Sequence, residues 1–300
     1  MNAWPLNEGL IDYVDAAEPA PSEGYDENPA AGLNVIANPA LSISGQTVDA
    51  ATITPDLLEN TLQSANGAAA NVATGYHAIE FLLWGQDLGP YDATAGQRPW
   101  TDCAKGDACT NDNCDRRGEY LNAAMDPLVA DLEFMAAAWA PEGEARTSIM
   151  QDQGGVNRIL TGMGSLSYGE EAGQRMPPGL MLNDPEEKHS CFSDNTNNDH
   201  FKDALGGRNI YEGTYPGIDG SVMKGASLRE LVAEKDAGVA DALAQSLDPG
   251  NEAGGQLIQD AIDGLIAQTR DIERAVAALG RDAIDFEGSD SLDDPEAVFQ

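Results

Sequence analysis

The feature that most constrains the fold is a long helical pattern of apolar residues between Asp115 and Pro141. Apolar side chains recur about every 3.6 positions, which is the spacing of one face of an α-helix. They are Tyr120, Leu121, Ala124, Met125, Leu128, Leu132, Met135 and Trp139. The pattern predicts one long helix, which Asp115 caps and Pro141 ends.

Helical patterns also dominate most of the remaining chain. Thr54-Pro55 is a typical helix start, and further patterns cover roughly residues 142–175, 199–211, 227–247 and 252–280. Met176-Pro177-Pro178-Gly179 is expected to end the first of these four. Useful alternation of β-branched residues is almost absent. The sequence therefore predicts an all-α fold of helical bundles with long loops.

We predict three regions along the chain. Residues 1–54 carry scattered prolines and acids and are expected to be an irregular segment that packs on the first bundle. Residues 55–140 form that first helical bundle, which is expected to be incomplete, and residues 141–300 form the second. The acidic tail from Phe286 is expected to fray.

Acidic residues far outnumber basic ones. The chain has 51 Asp and Glu against 16 Lys and Arg, a net charge of −35. Nucleic-acid phosphates and anionic membrane surfaces would be repelled, so cations are the natural small partners. An acid-rich surface of a halophilic or marine protein explains most of the same excess. No run of 18 apolar residues occurs, so no transmembrane span is predicted.

The four cysteines are Cys103, Cys109, Cys114 and Cys191, all in polar loops. An even number confined to loops predicts two disulfides in an oxidising compartment. We expect one bridge within the first loop and one from this loop to Cys191. A structural zinc site is the alternative, although no Cys-x-x-Cys pair is present. The first eight residues do not resemble a signal peptide, so the chain is either cytoplasmic or lacks its leader, and the cysteines favour the second.

The most suggestive polar pair is His77 with Glu80, in the stretch Gly75 to Gly85. Residues three apart lie on one face of a helix, so the imidazole and the carboxylate can share one cation or one proton. A buried histidine bonded to glutamate for structural reasons fits the spacing equally well. Ala73-Thr74-Gly75 and Leu160-Thr161-Gly162 are similar, which suggests two related bundles with the polar pair only in the first.

A possible additional site is suggested by charged residues outside this pair. They are Arg116, Glu186, Glu187, His189, Asp194, Asp199 and His200. A solvated acidic loop held by Cys191 accounts for most of them as well. Arg116 and Arg117 are expected to pair with a buried carboxylate, such as Glu80, or to form exposed ion pairs. Complete hydrolase motifs such as His-Glu-x-x-His are absent from the sequence.

These residues together resemble the imelysin family. Gly75-Tyr76-His77-Ala78-Ile79-Glu80 is similar to its Gly-x-His-x-x-Glu motif, in which Gly75, His77 and Glu80 match. The stretches Phe81 to Leu88, Arg98 to Asp102, Cys114 to Leu121 and Glu186 to Asn195 resemble its iron-regulated protein A branch. The resemblance extends from about Trp4 to the end of the chain. In that family the matching segment usually follows a leader and further helices.

The resemblance implies two related helical bundles with a site around the motif near their interface. It also implies a periplasmic or surface-anchored bacterial protein linked to iron acquisition, and the family carries a peptidase label. We therefore expect a protein that binds a metal ion, iron in the first place and zinc or another divalent cation otherwise, near His77 and Glu80. Its further partners would be envelope components of iron uptake. A metallopeptidase using the same motif, and an interaction module with a structural pair, are the alternatives.

Overall fold

The computed structural model describes residues 6–14, 33–88, 95–182, 189–248 and 258–299. The described chain is mostly helical, which confirms the predicted fold class. It divides into two compact units, residues 1–143 with 190–195 and residues 144–189 with 196–300. Residues 190–195 thus belong to the first unit although they follow the beginning of the second. None of the helices in the described residues is long and apolar enough to cross a membrane.

The first unit combines short elements with one long helix. Its helices are α1 (Glu8–Ile11), α2 (Pro55–Leu57), α3 (Tyr76–Trp84) and α4 (Cys114–Trp139), and its hairpin is β1 (Ala40–Ile43) with β2 (Gln46–Asp49). A π-helical turn, Leu58–Leu62, continues α2, and 3₁₀ turns cover Ala65–Gly67, Trp100–Cys103 and Gly106–Ala108.

The second unit is a set of helices with one small hairpin. Its helices are α5 (Glu144–Gln151), α6 (Gly155–Ser165), α7 (Met176–Leu182), α8 (Thr196–Glu212), α9 (Leu228–Ala233), α10 (Ala237–Ser246), α11 (Ile258–Ala278) and α12 (Asp290–Asp293). A π-helical segment, Leu166–Arg175, joins α6 to α7, strands β3 (Thr214–Pro216) and β4 (Val222–Lys224) pair antiparallel, and a 3₁₀ turn covers Pro295–Phe299.

The β1–β2 hairpin corrects the expectation of an irregular segment before residue 55. Ser44 and Gly45 both have positive φ, 52° and 76°, as a tight two-residue hairpin turn requires. The Ser44 backbone N–H and hydroxyl both donate to Asn66 Oδ1 at 2.8 Å. Leu41 and Ile43 are buried in the core of the first unit. The hairpin is therefore an ordered part of that core.

Helix α4 is only half covered by the first unit. Tyr120 and Ala124 in its N-terminal half are fully buried, and the Tyr120 hydroxyl donates to the Ala73 carbonyl at 2.9 Å. Met125, Leu132 and other apolar residues toward its C-terminal end are about half exposed. The predicted helix is confirmed, but its apolar pattern does not predict how much of it is covered. Asp115 does not cap it, since α4 already begins at Cys114.

Local capping signals were correct where side chains could reach the backbone. Thr54 Oγ1 accepts a hydrogen bond from Leu57 N–H at 3.2 Å, and Pro55 is the first residue of α2.

The predicted stop at Met176-Pro177-Pro178-Gly179 is wrong, because α7 runs through it. The π-helical segment ends at Arg175, so Pro177 and Pro178 lie in a first helical turn, where a missing N–H costs little.

The tail is not frayed over its described residues. The Phe286 ring lies against Gly164, where an added Cβ would come within 3 Å of the ring atoms. Phe286 packs on the core of the second unit, and the Ser291 hydroxyl donates to the Gly173 carbonyl at 2.5 Å. The acidic composition of the tail is therefore compatible with order, because its apolar and small polar residues make the contacts.

One of the two predicted disulfides is confirmed. Cys109 and Cys114 are bonded, with their Cα atoms 5.7 Å apart. The predicted second bridge, from this loop to Cys191, is wrong. Cys109 and Cys114 are bonded to each other, and Cys103, the remaining cysteine of the loop, is a free thiol. Cys191 is buried in the hydrophobic core, whereas Cys103 ends a 3₁₀ turn against α4. Burial also raises the pKa of the Cys103 thiol.

Candidate functional site

Two glycines set the limits of the helix that carries the polar pair. Gly75 has φ +93° and Gly85 has φ +74°, conformations that side chains with a Cβ rarely adopt. Helix α3 therefore starts at Tyr76 and ends at Trp84. Gly162 does lie inside a helix, α6, so the two similar Thr-Gly segments have different local structures.

His77 and Glu80 are in direct contact on one face of α3. His77 Nδ1 and Glu80 Oε2 are 2.8 Å apart, and the residues are 9% and 8% exposed. An ionised carboxylate only accepts hydrogen bonds, so this geometry assigns the proton to Nδ1. In the neutral ring, Nε2 then carries the lone pair. The pair is thus an imidazole whose tautomer and orientation are fixed by a buried carboxylate.

The second oxygen of Glu80 is held by Ser193. Glu80 Oε1 accepts hydrogen bonds from the Ser193 backbone N–H at 2.9 Å and from its hydroxyl at 2.5 Å. Ser193 lies in the segment 190–195, which packs into the first unit through Cys191 and Phe192. Both carboxylate oxygens are therefore occupied, so Glu80 is positioned to hold His77 rather than to move freely.

Aromatic packing fixes this segment against α3. The rings of Phe81 and Phe192 are 5.2 Å apart and tilted by 48°. The Phe192 carbonyl accepts a hydrogen bond from Gly96 N–H at 2.8 Å. Phe81 directly follows Glu80, and Phe192 directly precedes Ser193. The contact between the two rings therefore brings Ser193 opposite the Glu80 carboxylate.

The two adjacent arginines do not contact Glu80. Arg116 donates to the backbone carbonyls of Val35, Ile36, Ala50 and Ala51, at 2.7 to 2.9 Å. Arg117 is 1% exposed and binds Asp12 through Nε at 2.6 Å and Nη2 at 3.2 Å. The expected buried carboxylate partner is therefore Asp12. Burial by itself would raise the pKa of Asp12, but hydrogen bonds and charges from Arg117 and Arg98 outweigh it and lower that pKa.

The other predicted site residues are divided between the two units and the residues that the structure does not describe. Asp194 is in the first unit, next to Ser193, and its backbone N–H donates to the Cys191 carbonyl. His189, Asp199 and His200 belong to the second unit. Glu186 and Glu187 lie outside the described residues. The additional site that the sequence suggests therefore stays a prediction.

The second unit has its own histidine and carboxylate cluster. His189 Nδ1 is 3.2 Å from Asp199 Oδ2, and His200 Nδ1 is 2.5 Å from the buried Glu171 Oε2. The rings of His189 and His200 are 6.1 Å apart. Asp203 also bonds to Glu171. Burial first, and then this carboxylate neighbour, raise the pKa of Asp203 to about 7.

The chemistry of the polar pair fits part of a metal site. An imidazole with its Nδ1–H on a carboxylate is the common state of a metal-bound histidine, since the carboxylate fixes the ring and raises its basicity. Within the described residues, however, no three His, Cys, Asp or Glu side chains converge with metal-ligand spacing. His77 and Glu80 could therefore supply a first ligand and its orienting partner, while the remaining positions need water or other groups.

Sequence reasoning missed several residues that the structure brings to these sites. Ser193, Asp12, Glu171 and Asp203 each contact a predicted residue from far along the chain or from another element. Ser193 lies in a stretch that was singled out by resemblance, but nothing in its spacing identifies Glu80 as its partner. Nothing in the sequence distinguishes Asp12, Glu171 and Asp203 from its many other acidic residues.

The family model for imelysin, peptidase family M75, matches residues 1–284, which is most of the chain. The match includes the stretch with Gly75, His77 and Glu80. No curated protein matches the sequence.

Proposed function

Because the chain belongs to the imelysin family, we propose that it is an extracytoplasmic metal-binding protein of iron acquisition. Its ion binds beside His77 and Glu80. The observation that carries the proposal is the buried hydrogen bond of 2.8 Å between His77 Nδ1 and Glu80 Oε2. It fixes the ring with Nε2 as the ligating nitrogen and places a negative charge next to it.

Iron is the ion we propose. Imidazole suits iron, copper and zinc, and the resemblance of several stretches to the iron-regulated branch of the family favours iron among them. The net charge of −35 raises the local concentration of cations around the protein. Zinc or another divalent cation is the alternative within the same proposal, and competition in the binding experiment distinguishes them.

The proposed location outside the cytoplasm is supported by the Cys109–Cys114 disulfide. Such bonds persist in oxidising compartments and are rare in the cytosol. A periplasmic or surface-attached bacterial protein would deliver its ion to envelope components of iron uptake, which are the macromolecular partners we propose.

The proposal is tested by metal titration of the purified protein. Wild type is expected to take up one equivalent of Fe²⁺ under anaerobic conditions, His77→Ala to lose this site, and Glu80→Ala to bind about 10- to 100-fold more weakly. His189→Gln is the matched control, since it removes another carboxylate-bonded ring and is expected to retain the site. Equal uptake by wild type, His77→Ala and Glu80→Ala would refute the assignment.

A metallopeptidase is the second candidate, favoured by the family's description as a peptidase family. Such an enzyme needs a third ligand and a coordinated water that Glu80 can deprotonate. Cleavage of a peptide library that is abolished by chelator and by Glu80→Ala would replace the binding proposal. If instead His77→Ala only lowers thermal stability and leaves metal uptake intact, the pair is structural.

A further inference from the structure

Helix α4 has a second apolar face besides the one that packs in the first unit. From Arg117 onward its buried residues are Arg117, Tyr120, Ala123, Ala124 and Pro127. Its large exposed apolar residues are Met125, Val129, Leu132, Phe134, Met135 and Trp139. At 3.6 residues per turn, all of these except Phe134 lie on a face that is centred about 120° around the helix from the buried one. A helix on the surface of a unit needs only one apolar face, so the second requires another covering element.

The second face follows a heptad repeat. Successive apolar residues alternate at spacings of four and three, which are the a and d positions of packed helices. These residues, which we call the α4 stripe, are Leu121, Met125, Leu128, Leu132, Met135 and Trp139. Side chains at such spacings fit between those of a facing helix. The element that covers the α4 stripe is therefore expected to be an α-helix.

The exposed part of the α4 stripe has the composition of an interface. Leu121 packs against the core of the first unit, whereas Met125, Leu132, Met135 and Trp139 are each about half exposed. Methionine and tryptophan are enriched in protein interfaces. The α4 stripe is about 27 Å long, so it can accommodate a partner helix of about five turns.

Acidic residues flank the α4 stripe on both sides. Asp126 and Glu133 are seven residues apart on one side, and Asp131 lies on the other. Residues 118–145 contain no Lys, Arg or His, so no basic residue three or four positions away can pair with these acids on the helix. A second copy of this chain would place acids opposite acids, whereas a basic partner would neutralise them. The charges therefore favour a basic helix as the occupant.

We infer that the α4 stripe binds a basic amphipathic helix of a partner protein. The apolar face of that helix covers Met125, Leu132 and Trp139, and its basic residues pair with Asp126 and Glu133. The α4 stripe includes neither His77 nor Glu80, so this inference and the proposed metal site can fail separately.

Three labelled peptides test the inference against the full chain by fluorescence anisotropy. The probe has about three heptads with Leu at a and d and Lys at e and g, where like charges keep it from pairing with itself. One control peptide has Glu in place of Lys, and the other has the residues of the probe in scrambled order, without an apolar face. The probe is expected to bind at least about tenfold more tightly than either control. An unbound probe, or equal binding of the scrambled peptide, would overturn the inference.

An apolar substitution locates the binding surface. Leu132→Ser removes a half-exposed apolar side chain and is expected to weaken probe binding at least about fivefold, with little change in thermal stability. Ile210→Ser is the matched control, since Ile210 is a similarly exposed helical residue of the second unit. Wild-type affinity in Leu132→Ser, or an equal loss in both variants, would contradict the inference.

A charge substitution separates local pairing from the net charge of the chain. Asp126→Asn combined with Glu133→Gln is expected to weaken probe binding at least about threefold and to reduce its salt dependence. Glu230→Gln combined with Glu234→Gln removes the same charge from exposed positions of the second unit and should bind like wild type. Equal effects of the two double variants would mean that the acids beside the α4 stripe have no specific role.

Sedimentation of the wild-type chain without peptide tests the competing occupant. A monomer is expected, because two acidic α4 stripes repel each other. A dimer that Leu132→Ser dissociates would show that a second copy covers the α4 stripe, and it would overturn the inference.

Discussion

Glu80 Oε1 accepts hydrogen bonds from both the backbone N–H and the hydroxyl of Ser193, a residue 113 positions further along the chain. The carboxylate that orients His77 is therefore itself oriented by a distant segment. The His-x-x-Glu spacing supplies the pair, but the segment 190–195 supplies its rigidity. Variants of either part are expected to change the same proposed metal site.

Ser193→Ala is expected to weaken metal binding by about three- to tenfold and to cost about 1–2 kcal/mol of stability. It removes the hydroxyl donor and leaves the backbone donor, so Glu80 keeps one bond on Oε1. Titration and thermal unfolding measure the two effects. Ser246→Ala, which loses a hydroxyl bond to the Leu243 carbonyl in the other unit, is the control for stability alone. Unchanged affinity in Ser193→Ala would show that Glu80 does not need this support.

Gly75→Ala is expected to destabilise the protein by about 1–2 kcal/mol through backbone strain alone. Its added Cβ meets no atom within 4 Å, but φ is +93°. Gly162→Ala has the same open space inside α6 and is expected to stabilise by about 0.5–1 kcal/mol, as alanine does in a helix. Thermal unfolding should give a lower melting temperature than wild type for Gly75→Ala and a higher one for Gly162→Ala. A stabilised Gly75→Ala would mean that α3 does not start at Tyr76.

Asp203 is expected to make stability fall as the pH rises from about 4 to about 7. Its pKa is about 7 in the folded protein and near its ordinary value of 3.8 when unfolded, so the folded state binds the extra proton over this window. Asp203→Asn removes the penalty and should stabilise the protein by roughly 1 kcal/mol at pH 8, a figure discounted for partial exposure, with little effect at pH 4.

Unfolding curves for Asp203→Asn at several pH values make this comparison. Asp241→Asn, in an exposed pair with Arg229 on the same unit, is the control and should not reproduce the pH dependence. A gain in stability that is the same at pH 4 and pH 8 would show that the proton shared with Glu171 is not its origin.

Asp12→Asn is expected to destabilise the first unit by about 3–5 kcal/mol at neutral pH, because it leaves Arg117 buried without its carboxylate. The folded pKa of Asp12 is lowered, so its contribution is complete above about pH 4 and is lost as the pH falls through the folded value. The difference between wild type and variant should therefore shrink in acid. Asp152→Asn, from a pair with Arg158 that is far more exposed than Asp12 and Arg117, is the control and should change little. A difference that stays constant down to pH 2 would contradict this role for Asp12.

What the sequence predicts well is local. Thr54 caps α2 because its hydroxyl reaches a backbone N–H three residues away. His77 and Glu80 meet because i and i+3 side chains share a helix face. The Cys109–Cys114 bridge joins residues five positions apart. In each case the interaction is decided within one or two turns of chain, where spacing determines distance.

What the sequence could not predict depends on distant packing or on helix register. Arg117 finds Asp12 across 105 positions, and no periodicity relates them. The two prolines of α7 are tolerated because a π-helical segment ends just before them, a register that apolar spacing does not reveal. The order of the tail depends on Phe286 filling the space that Gly164 leaves. These contacts exist only once separate segments are folded together.

The most direct test of the metal assignment is the position of the ion itself. Crystals of the wild-type protein grown with Fe²⁺, measured at the iron absorption edge, should show an anomalous peak about 2.0–2.3 Å from His77 Nε2. The peak should be missing in His77→Ala crystals grown in the same way. An iron peak that lies away from His77, or that persists in the variant, would contradict the account.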